Sequence, residues 1–147
     1  MFKIFSDISL VLRKELTLSQ SGAGQVLSSG VQGSWVTLNA SNEATLTQAA
    51  TGLAWPIWNE SYRTGLVGWT PDVVNTKKVT VIVGKVFATT DQYLSTPSLG
   101  DPLKTGAGGK LATATLGTDH IVAFCVKAPY SLTYLGTTYT VIDIQTV

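Results

Sequence analysis

The chain has one histidine, one cysteine and nine carboxylates, so little of its sequence is equipped for chemistry. His120 follows Asp119, but adjacent residues on a strand point to opposite faces, so the two do not form a relay. No serine stands in a Gly-x-Ser-x-Gly turn, and the carboxylates are dispersed with no close pair for acid–base work. Cys125 lies in the apolar run Ile121–Val126 and reads as a small buried hydrophobe. A second histidine and an Asp-rich calcium loop are both missing. Thr105-Gly106-Ala107-Gly108-Gly109-Lys110 is like a phosphate loop only in its glycines. It lacks the Gly-Lys-Ser/Thr ending and runs into Leu111 rather than a helical pattern, so it reads as a hairpin turn. The expectation is a protein that is not an enzyme and holds no metal or cofactor.

The aromatic residues are more informative. Trp55, Trp58, Tyr62 and Trp69 fall within one short stretch. Such a cluster serves as core anchors, as interface hot spots or as sugar-stacking platforms, and the spacing leaves the three readings open. Phe2, Ile4, Phe5 and Ile8 form a second apolar group in an N-terminal segment read as an arm over 1–9. An arm of this kind adds a strand to a neighbouring subunit. These eight residues are the candidate partner interface.

The elements that must position them are strands. Leu10, Leu12, Leu16 and Leu18 alternate with Val11, Arg13, Glu15 and Thr17 as a half-buried strand with Lys14 its one breach. Two glycine-punctuated hairpins follow, one from Gly24 to Leu38 and one from Gly100 to Thr113. Between them, the polar stretch Asn39 to Thr51 offers room for a short helix with Ser41 as its cap. Pro56 makes 52–58 an edge or bulged strand. A long excursion covers 59–77. Val79 to Ala88 reads as a central strand, apolar on both faces, with a bulge at Gly84. After the second hairpin come a buried strand over 121–126, a turn region over 129–136 and a last alternating strand over 139–146. This makes about eight to ten short strands in one domain over 1–147. The expected fold class is all-β, a small β-barrel or β-sandwich with an extended N-terminal arm and a long central loop. The two hairpins close one scaffold, and the tryptophan side of the first is where partners are expected.

Composition narrows the role further. Charged residues make up 13% of the 147 residues, against roughly 25% in ordinary soluble domains. Hydrophobic residues make up 44% and the mean hydropathy is +0.24. Burial of neutral surface in an assembly accounts for this balance, and a hydroxyl-rich secreted β protein is the alternative. The net charge is +1 with basic residues scattered, which argues against nucleic acid as a partner. No window is long and apolar enough for a membrane helix. Asp7 and the Arg13-Lys14-Glu15 run break any signal-like core, so synthesis and use without export are expected.

The second half resembles the small decoration (cement) proteins of tailed-bacteriophage capsids. The residues that carry the likeness are Val79-Thr80-Val81-Ile82-Val83-Gly84-Lys85 and Thr89-Thr90-Asp91-Gln92-Tyr93. Gly100-Asp101-Pro102-Leu103, Gly109-Lys110-Leu111, the Ile121–Ala128 run and Val141-Ile142-Asp143-Ile144 complete it. The first half is similar more loosely, through Ala23-Gly24-Gln25-Val26-Leu27 and Gly52-Leu53-Ala54-Trp55-Pro56. The resemblance implies a virion structural protein, made in the host cytoplasm and carried on the capsid exterior. It would form a homotrimer that clamps the major capsid protein at three-fold junctions of the head. A phage tail-tube or head-completion subunit and a carbohydrate-binding β module are the alternative functions.

Overall fold

The computed structural model of the protein describes residues 2–6, 11–19, 32–48, 52–58 and 77–147. It is all-β, as expected. Eleven strands are described: β1 (Phe2–Ile4), β2 (Leu12–Thr17), β3 (Trp35–Leu38), β4 (Ala44–Leu46), β5 (Trp55–Pro56), β6 (Lys78–Val83), β7 (Phe87–Thr90), β8 (Pro102–Thr105), β9 (Leu111–Thr113), β10 (Ala123–Tyr134) and β11 (Thr137–Thr146). The only helical turn among the described residues is a 3₁₀ turn at Ala107–Gly109.

Six strands form one antiparallel sheet in the order β1-β7-β11-β10-β8-β9. The others form a β2-β6 ribbon and a β4-β3-β5 sheet. Single bridges, Ile57 to Val81 and Leu18 to Ala44, bring these two small sheets round into a ring. The ring joins at those bridges rather than through a continuous ladder. Leu16, Leu18, Val36, Ala44, Leu46, Ile57, Val79 and Val81 fill its interior. A second core lies between the six-stranded sheet and the ring's outer side. It holds Phe2, Trp35, Trp58, Ile82, Leu103, Ile142 and Ile144 among others. Two sheet layers around this core make the molecule sandwich-like.

Strand β6 is a wall shared by both cores. Its period of two sends Val79 and Val81 into the ring and Ile82 into the sandwich. The apolar character of both faces is thus explained, but the expected strand over 79–88 is in fact two. Gly84, at φ +95°, turns the chain out of one sheet, and β7 resumes in the other. Thr146 fastens this crossover. Its hydroxyl donates to the Gly84 carbonyl at 2.6 Å and accepts the Val86 N–H at 2.8 Å. Alternation continued unbroken through the crossover, so periodicity alone did not show the change of sheet.

Three other expectations are corrected. Residues 41–44 are not helical: the Asn39 side chain accepts the N–H groups of Ser41 and Glu43, and this local competition closes a β3-β4 hairpin. Pro129 does not open a turn, because β10 runs on to Tyr134. The register between β10 and β11 slips between Lys127 and Tyr130, which leaves room for a residue with no N–H to donate. In β2, Leu16 and Leu18 are buried but Leu12 is exposed, since the strand runs beyond the ring at that end and Val11 buries into the sandwich core instead.

The Gly100–Thr113 hairpin forms as β8-β9. Its glycine turn does structural work. Gly109 sits at φ +71°, and a Cβ there would stand 2.7 Å from the Trp35 carbonyl oxygen. Its N–H donates to Thr47 at 3.0 Å, so the turn is docked on the ring rather than open to a phosphate. Residues 24–31 of the first hairpin and residues 59–76 of the excursion lie outside the described residues, as do residues 7–9 of the arm.

Candidate assembly surface

Strands β10 and β11 begin as the centre of the sheet and end outside it. Strand β8 pairs with β10 only at Ala123 and Phe124, and β7 reaches β11 only over Ile142–Gln145. From Tyr130–Val141 outward no further strand among the described residues pairs with Ser131–Thr140, Leu132–Tyr139, Thr133–Thr138 or Tyr134–Thr137 on either side. An isolated two-stranded ribbon is marginal in water, so this projection depends on its root and its own cross-strand pairs. One face carries Tyr130, Leu132, Tyr134 and Tyr139, and Lys3 Nζ lies 5.7 Å from the Tyr134 ring centre. The other carries Ser131, Thr133, Thr138 and Thr140, with the Thr133 and Thr138 hydroxyls 3.1 Å apart. Residues 128–142 contain no charged side chain.

The tip is unusual. Leu135 (φ +48°) and Gly136 (φ +79°) both take left-handed backbone, the geometry of a two-residue hairpin turn. Asn, Asp or Gly is favoured at the first of these positions, and a Cβ-bearing residue costs about 1–2 kcal/mol there. Leu135 nevertheless holds it, with 78% of its surface exposed. Local folding does not call for a leucine at this point.

The root is polar and well tied. Asp143 accepts hydrogen bonds from the Thr89 hydroxyl at 2.6 Å and the Tyr130 hydroxyl at 2.9 Å. Lys127 Nζ lies 3.6 Å from the Tyr130 ring centre. Burial pushes the Tyr130 phenol above its ordinary value, and the Asp143 carboxylate adds to this. Burial likewise pushes the Cys125 thiol up, and its Sγ contacts the Lys127 carbonyl at 3.3 Å, which suits an inert core thiol.

At the opposite end of the same two strands lies a cleft of about 260 Å³. Trp35, Ile82 and Val122 form its floor and Leu53–Pro56, His120, Ile121 and Thr146–Val147 its walls. The Thr37 hydroxyl holds the Leu53 carbonyl at 3.0 Å, which fixes one rim. Trp35 is 1% exposed, and its indole N–H has no acceptor among the described residues. A buried donor left unpaired is a costly feature, and this one lies out of contact with solvent.

The residues expected to meet partners separate clearly. Phe2 and Trp58 are spent in the protein's own sandwich core, with Phe2 in β1 paired to β7. Ile4 packs against that core and Phe5 is exposed beside Phe87. Trp55 packs against the ring core and lines the cleft. Trp55 and Trp58 therefore serve different cores and share no platform. Ile8, Tyr62 and Trp69 lie outside the described residues. Sequence reasoning missed Leu135 and Leu53. The signal for the first was present, since Tyr and Thr alternate on both sides of Leu135-Gly136. Among the described residues no three His, Cys, Asp or Glu side chains are grouped to hold a metal, and no helix is long and apolar enough to cross a membrane.

Compared with known proteins, the chain matches no family model, no curated protein and no solved structure.

Proposed function

We propose that the protein is a virion structural protein, a capsid decoration or cement subunit that binds the major capsid protein on the head exterior and stabilises the lattice. The observation that carries this reading is the projecting β10-β11 ribbon, free of charge from 128 to 142 and ending in an exposed leucine. A soluble monomer ordinarily protects such an element with charges. Here it offers backbone, hydroxyls and aromatic rings, which are the groups that protein interfaces bury. Of the residues behind the resemblance to decoration proteins, those from Thr89 onward lie in or beside the sheet that carries this ribbon, while Val79–Val83 form β6 of the neighbouring ribbon. A homotrimer on the lattice would give the weak individual contacts a high effective concentration.

The same ribbon favours a second reading, a ring-forming tail-tube or head-completion subunit, for which a long hairpin is the joining element. One experiment separates the two. Purified expanded heads lacking the protein, and separately purified tails, are sedimented with it. The decoration reading expects saturable binding to heads and none to tails. Binding to tails alone moves the assignment to the second reading, and binding to neither overturns both.

A further inference from the structure

A single row of side chains crosses the six-stranded sheet. Lys3 stands opposite Thr89, Thr89 opposite Asp143, and Asp143 opposite Lys127. The row faces away from the sandwich core, because Phe2, Ile4, Ala88, Ile142 and Ile144 beside it point into that core. A straight β10 would carry Tyr134 roughly 20 Å beyond Lys127, with β7 and β11 still between it and β1. A lysine and a tyrosine side chain together do not bridge that separation. Yet Lys3 Nζ lies 5.7 Å from the Tyr134 ring centre. The ribbon therefore curls back over the sheet's outer face towards β1.

Burial follows the same pattern. Thr89 and Val141 face outward and are fully buried, and Val141 belongs to neither core. Phe5 and Phe87, outward-facing on the same strands as Lys3 and Thr89, are exposed. On the ribbon itself Tyr130, Leu132, Tyr134 and Tyr139 are half-buried, whereas Ser131, Thr133, Thr138 and Thr140 are exposed. The tyrosine face is thus turned to the sheet and the hydroxyl face to solvent.

We propose that the ribbon is a strap, hinged between Cys125 and Tyr130 and latched to β1 by Lys3. Both register slips fall within the hinge, where a strand bends readily, and Pro129 has no N–H to give to the ladder there. The latch is the Lys3 ammonium, set between the Phe5 ring at 5.8 Å and the Tyr134 ring at 5.7 Å. No carboxylate among the described residues pairs with it. A cation–π contact at an exposed site shifts an equilibrium roughly two- to fivefold, so the strap is poised rather than locked. Because Lys3 belongs to one element and touches the other, loosening β1 from β7 frees the tyrosine face. Drawing the tyrosine face away loosens β1 in turn, since such coupling is reciprocal. A partner that takes either element thereby makes the other available. This device goes beyond the assembly reading and does not depend on what the ribbon binds.

The test uses the free full chain and the variants Lys3→Gln, Lys3→Arg and Tyr134→Leu. Lys3 is exposed, so its variants leave both cores untouched. Hydroxyl-radical footprinting reads access to the Tyr134 and Tyr139 rings. Amide exchange reads the Phe5 N–H, which donates to the Phe87 carbonyl at 2.8 Å. Lys3→Gln is expected to raise oxidation of both rings about twofold, and Lys3→Arg, which keeps the cation, to leave it unchanged. Tyr134→Leu should speed Phe5 exchange roughly two- to fivefold while the amides of 123–126 and 142–145 stay protected. In the Tyr134→Leu background, Lys3→Gln should no longer alter Tyr139 oxidation. If Tyr134→Leu loses the core protection, the two lysine variants alone decide. Equal oxidation in wild type and Lys3→Gln, or a Lys3→Arg protein that behaves like Lys3→Gln, overturns the strap. So does a Phe5 amide indifferent to Tyr134→Leu in a protein with its core protected.

Discussion

The inner and outer halves of the β10-β11 hairpin share one backbone ladder and differ in everything around it. The inner half is flanked by β8 and β7, and it buries Ala123, Cys125, Ile142 and Ile144 in the sandwich core. Among the described residues the outer half has no flanking strand, and tyrosine and threonine outnumber its aliphatics. Pairing alone does not make a stable sheet: the inner half is held by packing, and the outer half is held at its root and by its own cross-strand pairs. Two register slips and the Asp143 cluster lie at the boundary, where the strand passes from one regime to the other.

The contrast is broken most severely from the inside. Ile144→Ala removes a fully buried side chain and is expected to lower unfolding stability by about 2–5 kcal/mol in urea titrations. Leu132→Ala, its counterpart in the outer half, is expected to cost under about 1 kcal/mol because Leu132 is only half-buried. Equal losses would show that the two halves do not differ in packing. At the boundary, Asp143→Ala leaves the Thr89 and Tyr130 hydroxyls without their acceptor, at a cost of about 1–3 kcal/mol. Its effect should appear as faster amide exchange from Lys127 outward. An unchanged exchange pattern would mean that the cluster does not hold the ribbon's root.

Smaller effects sharpen the comparison further. Leu135→Asn is expected to raise stability by about 0.5–1 kcal/mol, read as a higher Tm, since it relieves left-handed strain at the tip. A lower Tm would mean that Leu135 already supports the monomer. The smallest effect lies on a loop flanking the inner half. Asp119 accepts the Thr115 N–H at 2.8 Å and Lys104 Nζ at 2.9 Å, and the first of these chiefly holds its carboxyl below the ordinary carboxylate range. A lowered pKa stabilises the folded loop above the unfolded value of about 4, and that support disappears as pH falls through the folded value. The Thr115 amide should therefore exchange faster, relative to its intrinsic rate, as pH drops below about 4. Constant protection down to pH 2 would contradict the clamp.

Local patterns in the sequence were enough to read the all-β class and the β8-β9 hairpin, because alternation and glycine turns act within a few residues. They could not show that Val83 and Phe87 belong to different sheets, since alternation carries through Gly84 unchanged. Pro129 misled for a related reason: its missing donor rules out regular pairing, but a register slip supplies an irregular place for it. The cleft was beyond reach of any window. Trp35, Leu53, Ile82, Val122 and Val147 come from separate stretches, and only the folded ring and sheet bring them together. The tryptophan cluster divides for the same reason, because Trp55 and Trp58 lie on either side of the wall between two cores.

The claim that the outer ribbon is built for contact with protein is tested most directly by amide hydrogen exchange on residues 131–140, in dilute free protein and in protein bound to heads. In free protein these amides should exchange quickly while those of 123–126 and 142–145 stay protected. On heads the account predicts protection of the outer pairs as well. Outer amides that exchange equally fast in both states, with the protein demonstrably bound, would contradict it.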